Sequence, residues 1–168
     1  GTLVCNGVLP TTAEQRITNA NWRGKVVLQA IPNFTNLDLD EFGNDDSVIE
    51  LNGIGNGTNQ TYMRHTQTID SDVILTGDNW FTDGSYLTTV TFNGDISGDG
   101  AFKFKKYNGS SNPAETWIFN GAYNASIANE DATARKIIFG SGTAEGGQIV
   151  IAKSVTIANG KTWSAVNG

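Results

Sequence analysis

Acidic residues that could bind a divalent cation occur in two stretches of the sequence. The first, residues 38–43, begins like a calcium-binding loop, with acids at its first and third positions and glycine at its sixth. The twelfth position is Ile49, so the bidentate carboxylate that closes an EF-hand loop is missing. We therefore interpret this stretch as an acidic turn between two strands.

The second acidic stretch carries Asp70, Asp72, Asp78 and Asp83. Because Ca²⁺ prefers oxygen ligands, Asp70 and Asp72 are candidate Ca²⁺ ligands if folding gathers their carboxylates. A solvated acidic face explains the same residues without a metal, and we favour that interpretation. No other cofactor is expected.

Side chains suited to nucleophilic or metal-assisted catalysis are few. His65 is the only histidine and Cys5 the only cysteine, which excludes zinc sites built from several such residues and any intrachain disulfide. The sequence has no Gly-x-Ser-x-Gly nucleophile motif, and we interpret His65 as a surface or half-buried residue. We therefore expect no enzymatic activity, and keep a polysaccharide-active enzyme as an alternative.

Aromatic residues in one segment could contact a ligand, because an exposed ring offers an apolar face to a sugar. Trp80 and Phe81 lie between Asp78 and Asp83, in a segment that the sequence predicts to be a loop. These four residues are the candidate ligand-binding residues of the chain. The competing interpretation, which we favour, is that Trp80 and Phe81 cap the end of a hydrophobic stack.

Composition and charge narrow the class of protein. Gly, Thr and Asn fill about a third of the 168 positions, which argues against helices and for many tight turns. Hydrophobic residues make up 38%, so we expect a folded, single all-β domain over residues 1–168. The net charge of −6 opposes binding to nucleic acid, and the apolar runs are too short for membrane insertion.

Short hydrophobic triplets recur between turn residues, and each places two side chains on one face of a strand. Several triplets are separated by about 12 residues, which is typical of an all-β fold. The ten predicted strands are centred on Val27, Asp38, Glu50, Ile74, Thr91, Lys103, Ile118, Ile138, Val150 and Thr156.

Glycines that follow Asn or Thr end several of these strands, at Gly53, Gly77, Gly94 and Gly121. Such pairs tolerate positive φ, so they predict sharp turns. They suit antiparallel hairpins and the corners of a parallel solenoid equally well. Two folds follow, a right-handed parallel β-helix (a β-solenoid) and an antiparallel β-sandwich or jelly roll, and the loose internal repeats favour the β-helix.

One part of the sequence resembles a known repeat. Residues 91–104 read TFNGDISGDGAFKF and residues 117–124 read WIFNGAYN. This succession of a Ser-Gly-x-Gly strand entry, a Lys-containing strand, an apolar strand and a Gly-, Tyr- and Asn-containing turn resembles the autotransporter-associated β-strand repeat over residues 91–124. The sequence GTLV at residues 1–4 resembles the step that closes such a repeat. The resemblance implies a right-handed parallel β-helix segment, a fragment of a longer exported bacterial protein.

These observations together predict a non-catalytic structural or adhesion module, extracellular or on the bacterial cell surface, that displays loops on a stiff β-solenoid. The expected partner is a host glycan or a host protein. Unpaired strand edges at both ends of a solenoid also predict strand addition or end-to-end self-association. The alternatives are a carbohydrate-binding β-sandwich that uses Trp80, and a polysaccharide-active enzyme.

Overall fold

Short β-strands separated by sharp corners make up most of the chain. The structure is a computed structural model that describes residues 1–8, 23–42, 46–63, 65–82, 88–106, 115–131, 135–143 and 148–165. Besides one 3-10 helix, Leu39–Glu41, these residues form β1 (Thr2–Asn6), β2 (Lys25–Gln29), β3 (Phe34–Leu37), β4 (Val48–Asn52), β5 (Thr61–Met63), β6 (Gln67–Ile69), β7 (Asp72–Thr76), β8 (Asp78–Thr82), β9 (Thr89–Phe92), β10 (Ile96–Ser97), β11 (Ala101–Lys105), β12 (Thr116–Phe119), β13 (Ser126–Asn129), β14 (Lys136–Phe139), β15 (Ile149–Ile151) and β16 (Trp163–Ala165).

The strands belong to three long sheets and one short pair. Sheet 1 has the order β1-β2-β4-β7-β10, sheet 2 the order β8-β11-β13-β16, and sheet 3 the order β6-β9-β12-β14-β15, while β3 pairs with β5. Every described strand pairing is parallel. The chain winds as a β-solenoid of about four turns. The predicted parallel β-helix is confirmed, and the antiparallel β-sandwich alternative is wrong because no described neighbours run in opposite directions.

Register is kept from one coil to the next in sheet 1. Val26 of β2 pairs with Ile49 of β4, which pairs with Val73 of β7, and Ile96 of β10 continues the column. Because side chains alternate between the two faces of a strand, this register stacks equivalent apolar residues inside the coil. All four side chains are buried, so the apolar triplets of the sequence form a continuous core column.

Aromatic rings form a second column along sheet 3. Phe92, Phe119 and Phe139 occupy equivalent positions of β9, β12 and β14. Consecutive rings stack with centroids 5.2 Å and 5.1 Å apart, and Trp163 of β16 stacks on Phe139 at 4.3 Å. Trp163 is only partly buried, so it covers the last ring of the column from sheet 2.

The segment predicted as a loop around Trp80 is strand β8 in the structure. Its inward positions are Asn79 and Phe81, and Thr82 is buried beside them. Thr82 accepts a hydrogen bond at Oγ1 from the Thr61 backbone N–H at 2.8 Å. The prediction missed this strand because polar side chains occupy positions facing the core, where the hydrophobic alternation breaks.

Glycines at the corners allow neighbouring coils to approach closely. Gly53 and Gly77 have φ of 65° and 64°, as the sequence predicts. Gly94 and Gly121 do not have positive φ; instead, a Cβ on Gly121 would overlap the carbonyl oxygen of Gly94, and a Cβ on Gly94 would overlap that of Ser71. The expectation of positive φ was wrong at these two corners, where glycine is needed for space between coils.

Candidate functional site

Asp78, Trp80 and Lys103 meet on the outer face of sheet 2. Lys103 of β11 lies opposite Trp80 of β8 in the parallel register. Its Nζ is 2.6 Å from Asp78 Oδ2 and 5.2 Å from the centroid of the Trp80 ring. The ring also lies against Gly57 in the preceding coil, where a Cβ would come within 3.0 Å of it. Trp80 is therefore packed between two coils, which reduces the ring area left for stacking on a sugar.

A groove of about 420 Å³ runs along sheet 2 beside this cluster. Small side chains from three successive strands line it, and Asp78, Lys103 and Glu130 add charge; the small residues are Ala101, Ser126, Ala128 and Ser164. Hydroxyl groups and a charged pair can hydrogen-bond a hydroxyl-rich ligand laid along the face. The groove is thus a candidate lateral binding surface beside two of the predicted residues, Asp78 and Trp80.

The other two predicted ligand-binding residues do not join this surface. Phe81 is fully buried and packs against Phe34 and Trp117, with ring centroids 5.5 Å and 4.8 Å away. It is a core residue, as its position on the inner face of β8 requires. Asp83 lies outside the described residues.

Asp70, a candidate Ca²⁺ ligand, begins a ladder of polar side chains that follows the ends of the sheet 3 strands. Its Oδ1 accepts a hydrogen bond from Asn93 Nδ2 at 2.8 Å. Asn93 Oδ1 in turn accepts one from Asn120 Nδ2 at 3.0 Å. Each side chain therefore bonds to the equivalent residue of the next coil.

Asp72, the other candidate, begins a second ladder at the entrance to sheet 1. Its Oδ1 accepts a hydrogen bond from the Asp95 backbone N–H at 2.8 Å, and Asp95 Oδ1 accepts one from the Ala122 backbone N–H at 2.8 Å. In the described parts of the chain no group of three or more His, Cys, Asp and Glu side chains could hold a metal ion. The structure gives both aspartates a role in joining successive coils.

His65 contacts two carboxylates of the preceding coil. Its Nδ1 is 3.0 Å from Asp38 Oδ1, and its Nε2 is 3.4 Å from Asp40 Oδ2. Asp38 is buried, whereas His65 is about half exposed. Burial raises the pKa of the Asp40 carboxyl, although the adjacent His65 acts in the opposite direction. Asp38, Asp40 and His65 thus form a charged cluster between two coils.

A buried ion pair joins two coils at the start of sheet 3 strands. Arg135 Nε and Nη2 donate to Glu115 Oε2 at 3.2 Å and 2.5 Å, and both side chains are almost completely buried. Arg135 Nη1 also donates to the Phe81 carbonyl oxygen, and Trp117 Nε1 donates to Glu115 Oε2 at 3.2 Å. The guanidinium lies 4.9 Å from the centroid of the Phe104 ring. These partners compensate for the removal of both charges from water.

This ion pair was not predicted from the sequence, although a signal was present. Glu115 and Arg135 each stand two residues before an apolar strand triplet, at Trp117 and Ile137. Equivalent positions of adjacent repeats carry opposite charges, and in a parallel solenoid equivalent positions are neighbours. Once the fold is known, the sequence spacing alone predicts the contact.

Comparisons with known proteins return no relative. No family model, no curated protein and no solved structure matches the chain. Within the residues that the structure describes, no helix has the length and apolar character needed to cross a membrane.

Proposed function

We propose that the chain is a non-catalytic structural or adhesion module of an exported bacterial protein, on the cell surface or secreted, in which a stiff β-solenoid displays its connecting segments to a host glycan or protein. The observation that carries this proposal is the unbroken parallel register from β1 through β10 in sheet 1. Hydrogen bonds of such ladders run along the solenoid axis, so bending the rod requires many of them to break together.

The side-chain ladders add to this stiffness. The Asp70–Asn93–Asn120 ladder and the Phe92–Phe119–Phe139 column both run parallel to the axis. One is on the outside and the other in the core, so each coil is fixed to the next at several points around its circumference. A rod of this kind keeps its lateral faces at constant spacing, which suits a display scaffold.

Variable connections support the display role. The chain passes from sheet 2 to sheet 3 through residues 83–88, 106–115 and 130–135 in successive coils. The second connection has ten residues and the other two have six each, while the strands before and after them keep their register. A connection at the surface can change in length without disturbing the core.

The resemblance to the autotransporter-associated β-strand repeat supports the exported location. The similar segment, residues 91–124, runs from β9 through β10, β11 and β12 to Tyr123. Tyr123 forms a parallel bridge with Ile96, the residue one coil earlier in sheet 1. From Ile96 to Tyr123 the segment thus makes one full turn of the solenoid, which is the unit that a solenoid repeat must encode.

The test is binding and turnover measured on the same purified chain. We expect beads coated with the protein to bind a subset of glycans or host-cell surfaces, and replacement of residues 107–114 by a Gly-Ser segment of equal length to reduce binding while leaving the circular dichroism unchanged. A matched control replaces Thr68, an exposed lateral residue of β6, by serine. Turnover of any acidic or neutral glycan, with or without chelator, would contradict the non-catalytic proposal.

Carbohydrate binding along the groove of sheet 2 is the second candidate function. The groove lies beside Trp80 and Lys103 and is lined by hydroxyl-bearing side chains. In this case Ser126→Leu, which fills the groove, abolishes glycan binding, whereas the Gly-Ser replacement of residues 107–114 leaves it unchanged. The two functions therefore predict opposite outcomes for the same pair of variants.

A further inference from the structure

Asn56 lies in the connection between β4 and β5 and is followed by Gly57. Its side-chain oxygen, Oδ1, accepts three hydrogen bonds: from the Thr58 backbone N–H at 3.0 Å, from Thr58 Oγ1 at 2.8 Å and from the Asn59 backbone N–H at 3.1 Å. These donors surround the oxygen as an oxyanion hole surrounds a reacting carbonyl oxygen. The side-chain amide carbon of Asn56 is therefore polarised towards attack by a nucleophile.

The adjacent nucleophile is the backbone nitrogen of Gly57, which can close a five-membered ring with that carbon. Glycine favours this ring closure because it has no Cβ to obstruct a close approach. Within the described residues, no group accepts a hydrogen bond from the Gly57 N–H, and no group holds Asn56 Nδ2, the amine that has to leave. Asn56 is also exposed, so water and solvent base can reach it.

The other Asn-Gly pairs in the described parts of the chain lack this combination. Three pairs hold their glycine N–H in hydrogen bonds to carbonyl oxygens of neighbouring coils, at 2.9, 3.1 and 3.5 Å for Gly7, Gly53 and Gly94. Asn120 uses its Nδ2 to donate to Asn93 Oδ1. Asn159 lies in an exposed turn, where none of the described residues donates to its side-chain oxygen. The structure therefore distinguishes Asn56 from pairs that are alike in sequence.

We propose that Asn56 is a site of spontaneous modification, at which the folded chain converts asparagine to isoaspartate and aspartate without an enzyme. The Gly57 nitrogen gives its proton to solvent base and forms a bond to Asn56 Cγ, while the three donors stabilise the negative charge that develops on Oδ1. Nδ2 then takes a proton from solvent and leaves as ammonia, which produces a cyclic imide. Water adds to either carbonyl carbon of the imide and opens the ring. One water is consumed, one ammonia is released, and nothing is oxidised or reduced.

The isoaspartate product changes the packing of Trp80. Gly57 lies against the Trp80 ring, where a Cβ would come within 3.0 Å of Cε3. The Trp80 backbone N–H donates to the Ile54 carbonyl oxygen at 2.8 Å, so the chain just before Asn56 is fixed on β8. Isoaspartate adds one methylene group to the main chain between Asn56 and Gly57. Gly57 then cannot keep its place against the ring, and the modification reaches the outer face of sheet 2.

The first test is peptide mapping by mass spectrometry after incubation of the whole folded chain at mildly alkaline pH. Asn56 should react before the other described Asn-Gly pairs, and this preference should disappear in denaturant. Thr58→Val removes the hydroxyl donor and should slow the reaction at Asn56 at least about threefold, less than in a buried active site because water can replace the hydroxyl. The matched control Thr68→Val, on exposed β6, should leave the rate unchanged.

Two results would overturn the proposal of a reactive Asn56. One is that Asn159 reacts as fast as Asn56 in the folded chain. The other is that Thr58→Val and Thr68→Val modify Asn56 at the same rate.

The second test follows the near-ultraviolet circular dichroism of the same samples. The aged wild type should lose part of its tryptophan signal, and Trp80→Phe should remove this age-dependent change. Asn56→Gln cannot form the five-membered ring, so its spectrum should not change with age. Freshly purified Asn56→Asp carries the new charge without the extra methylene group and should match the fresh wild type. An aged spectrum already present in fresh Asn56→Asp would contradict displacement of Gly57 as the cause.

Discussion

Phe119 lies directly over Phe92 of the preceding coil, with ring centroids 5.2 Å apart and ring planes inclined by 13°. The parallel register of β9 and β12 places the two residues at the same step of the strand. Phe139 repeats the relationship one coil later. The column connects coils through side chains as well as through backbone hydrogen bonds, so loss of one ring affects the coils on both sides.

Removing the central ring of this column should be strongly destabilising. Phe119→Ala leaves a cavity between Phe92 and Phe139, and we expect the free energy of unfolding to fall by about 3–5 kcal/mol. Ile118→Ala, on the outer face of the same strand, should cost about 1 kcal/mol. Urea denaturation followed by tryptophan fluorescence measures both, and similar losses in the two variants would contradict the stacked column.

Close approach at the corners predicts a contrast between two glycines. In Gly121→Ala the new Cβ would overlap the carbonyl oxygen of Gly94, so the two coils must separate and the midpoint of thermal unfolding should fall markedly. At Gly142 a Cβ would meet Ala152 Cβ at 3.5 Å, an ordinary contact. Gly142→Ala should therefore be neutral or should stabilise by about 0.4–1 kcal/mol, because alanine restricts the unfolded chain. Differential scanning calorimetry distinguishes these outcomes.

The buried ion pair predicts a non-additive double mutant. Arg135→Met leaves the Glu115 carboxylate buried without its cation, so the free energy of unfolding should fall by about 3–5 kcal/mol. Adding Glu115→Leu removes that charge, and the double variant should be more stable than Arg135→Met alone. A double-mutant cycle by chemical denaturation gives the coupling energy. Additive losses would mean that the pair does not act as a unit.

The acidic cluster around His65 predicts a pH dependence with a defined sign. Burial raises the pKa of Asp40 in the folded state above its unfolded value of 3.8. The folded protein therefore binds this proton more tightly, so the stabilising contribution of Asp40 is fully present below pH 3.8 and is lost as pH rises through the raised pKa. The ratio of unfolding constants of the wild type and Asp40→Asn should change over that window. A ratio that is independent of pH there would contradict a raised pKa.

Hydrophobic triplets were sufficient to predict most strands that pack with apolar residues alone. The triplets around Ile74, Thr91, Lys103 and Ile118 all lie in strands β7, β9, β11 and β12. The triplet around Thr156 does not, because residues 155–157 lie between β15 and β16. The triplet around Asp38 does not either, because Leu37 ends β3 and Leu39 begins a 3-10 helix. The apolar side chains of both residues are buried in either case, so the triplet predicted burial correctly and the local backbone wrongly.

Strands with inward polar residues could not be identified from alternation. In β6 the inward Gln67 accepts a hydrogen bond from the Leu39 N–H and donates to the Leu37 carbonyl oxygen. In β8 the inward Asn79 accepts one from the Ile54 N–H. These partners are 25 to 30 residues away in the sequence. A polar residue becomes acceptable in the core only through such distant contacts, which a local pattern does not contain.

Only part of the candidate site was predicted, because its contacts also join residues that are far apart in the sequence. Asp78 and Trp80 lie on the outer face of sheet 2, but their main partner, Lys103, comes from the next coil. Sequence separation concealed the contact until the register was known. Alternation along β8 would have assigned Trp80 and Phe81 to opposite faces, since consecutive residues of a strand point in opposite directions. Because this segment was predicted to be a loop, Trp80 and Phe81 were not assigned to different faces.

The two aspartates at the entrance to sheet 1, Asp72 and Asp95, are 23 residues apart and carry out the same bonding step. Excision of residues 72–94 would join Ser71 directly to Asp95. The Asp95 carboxylate accepts a backbone hydrogen bond of the same kind as the Asp72 carboxylate does. Duplication or loss of such a block would change the length of the protein by one coil and keep this bonding step at the new junction.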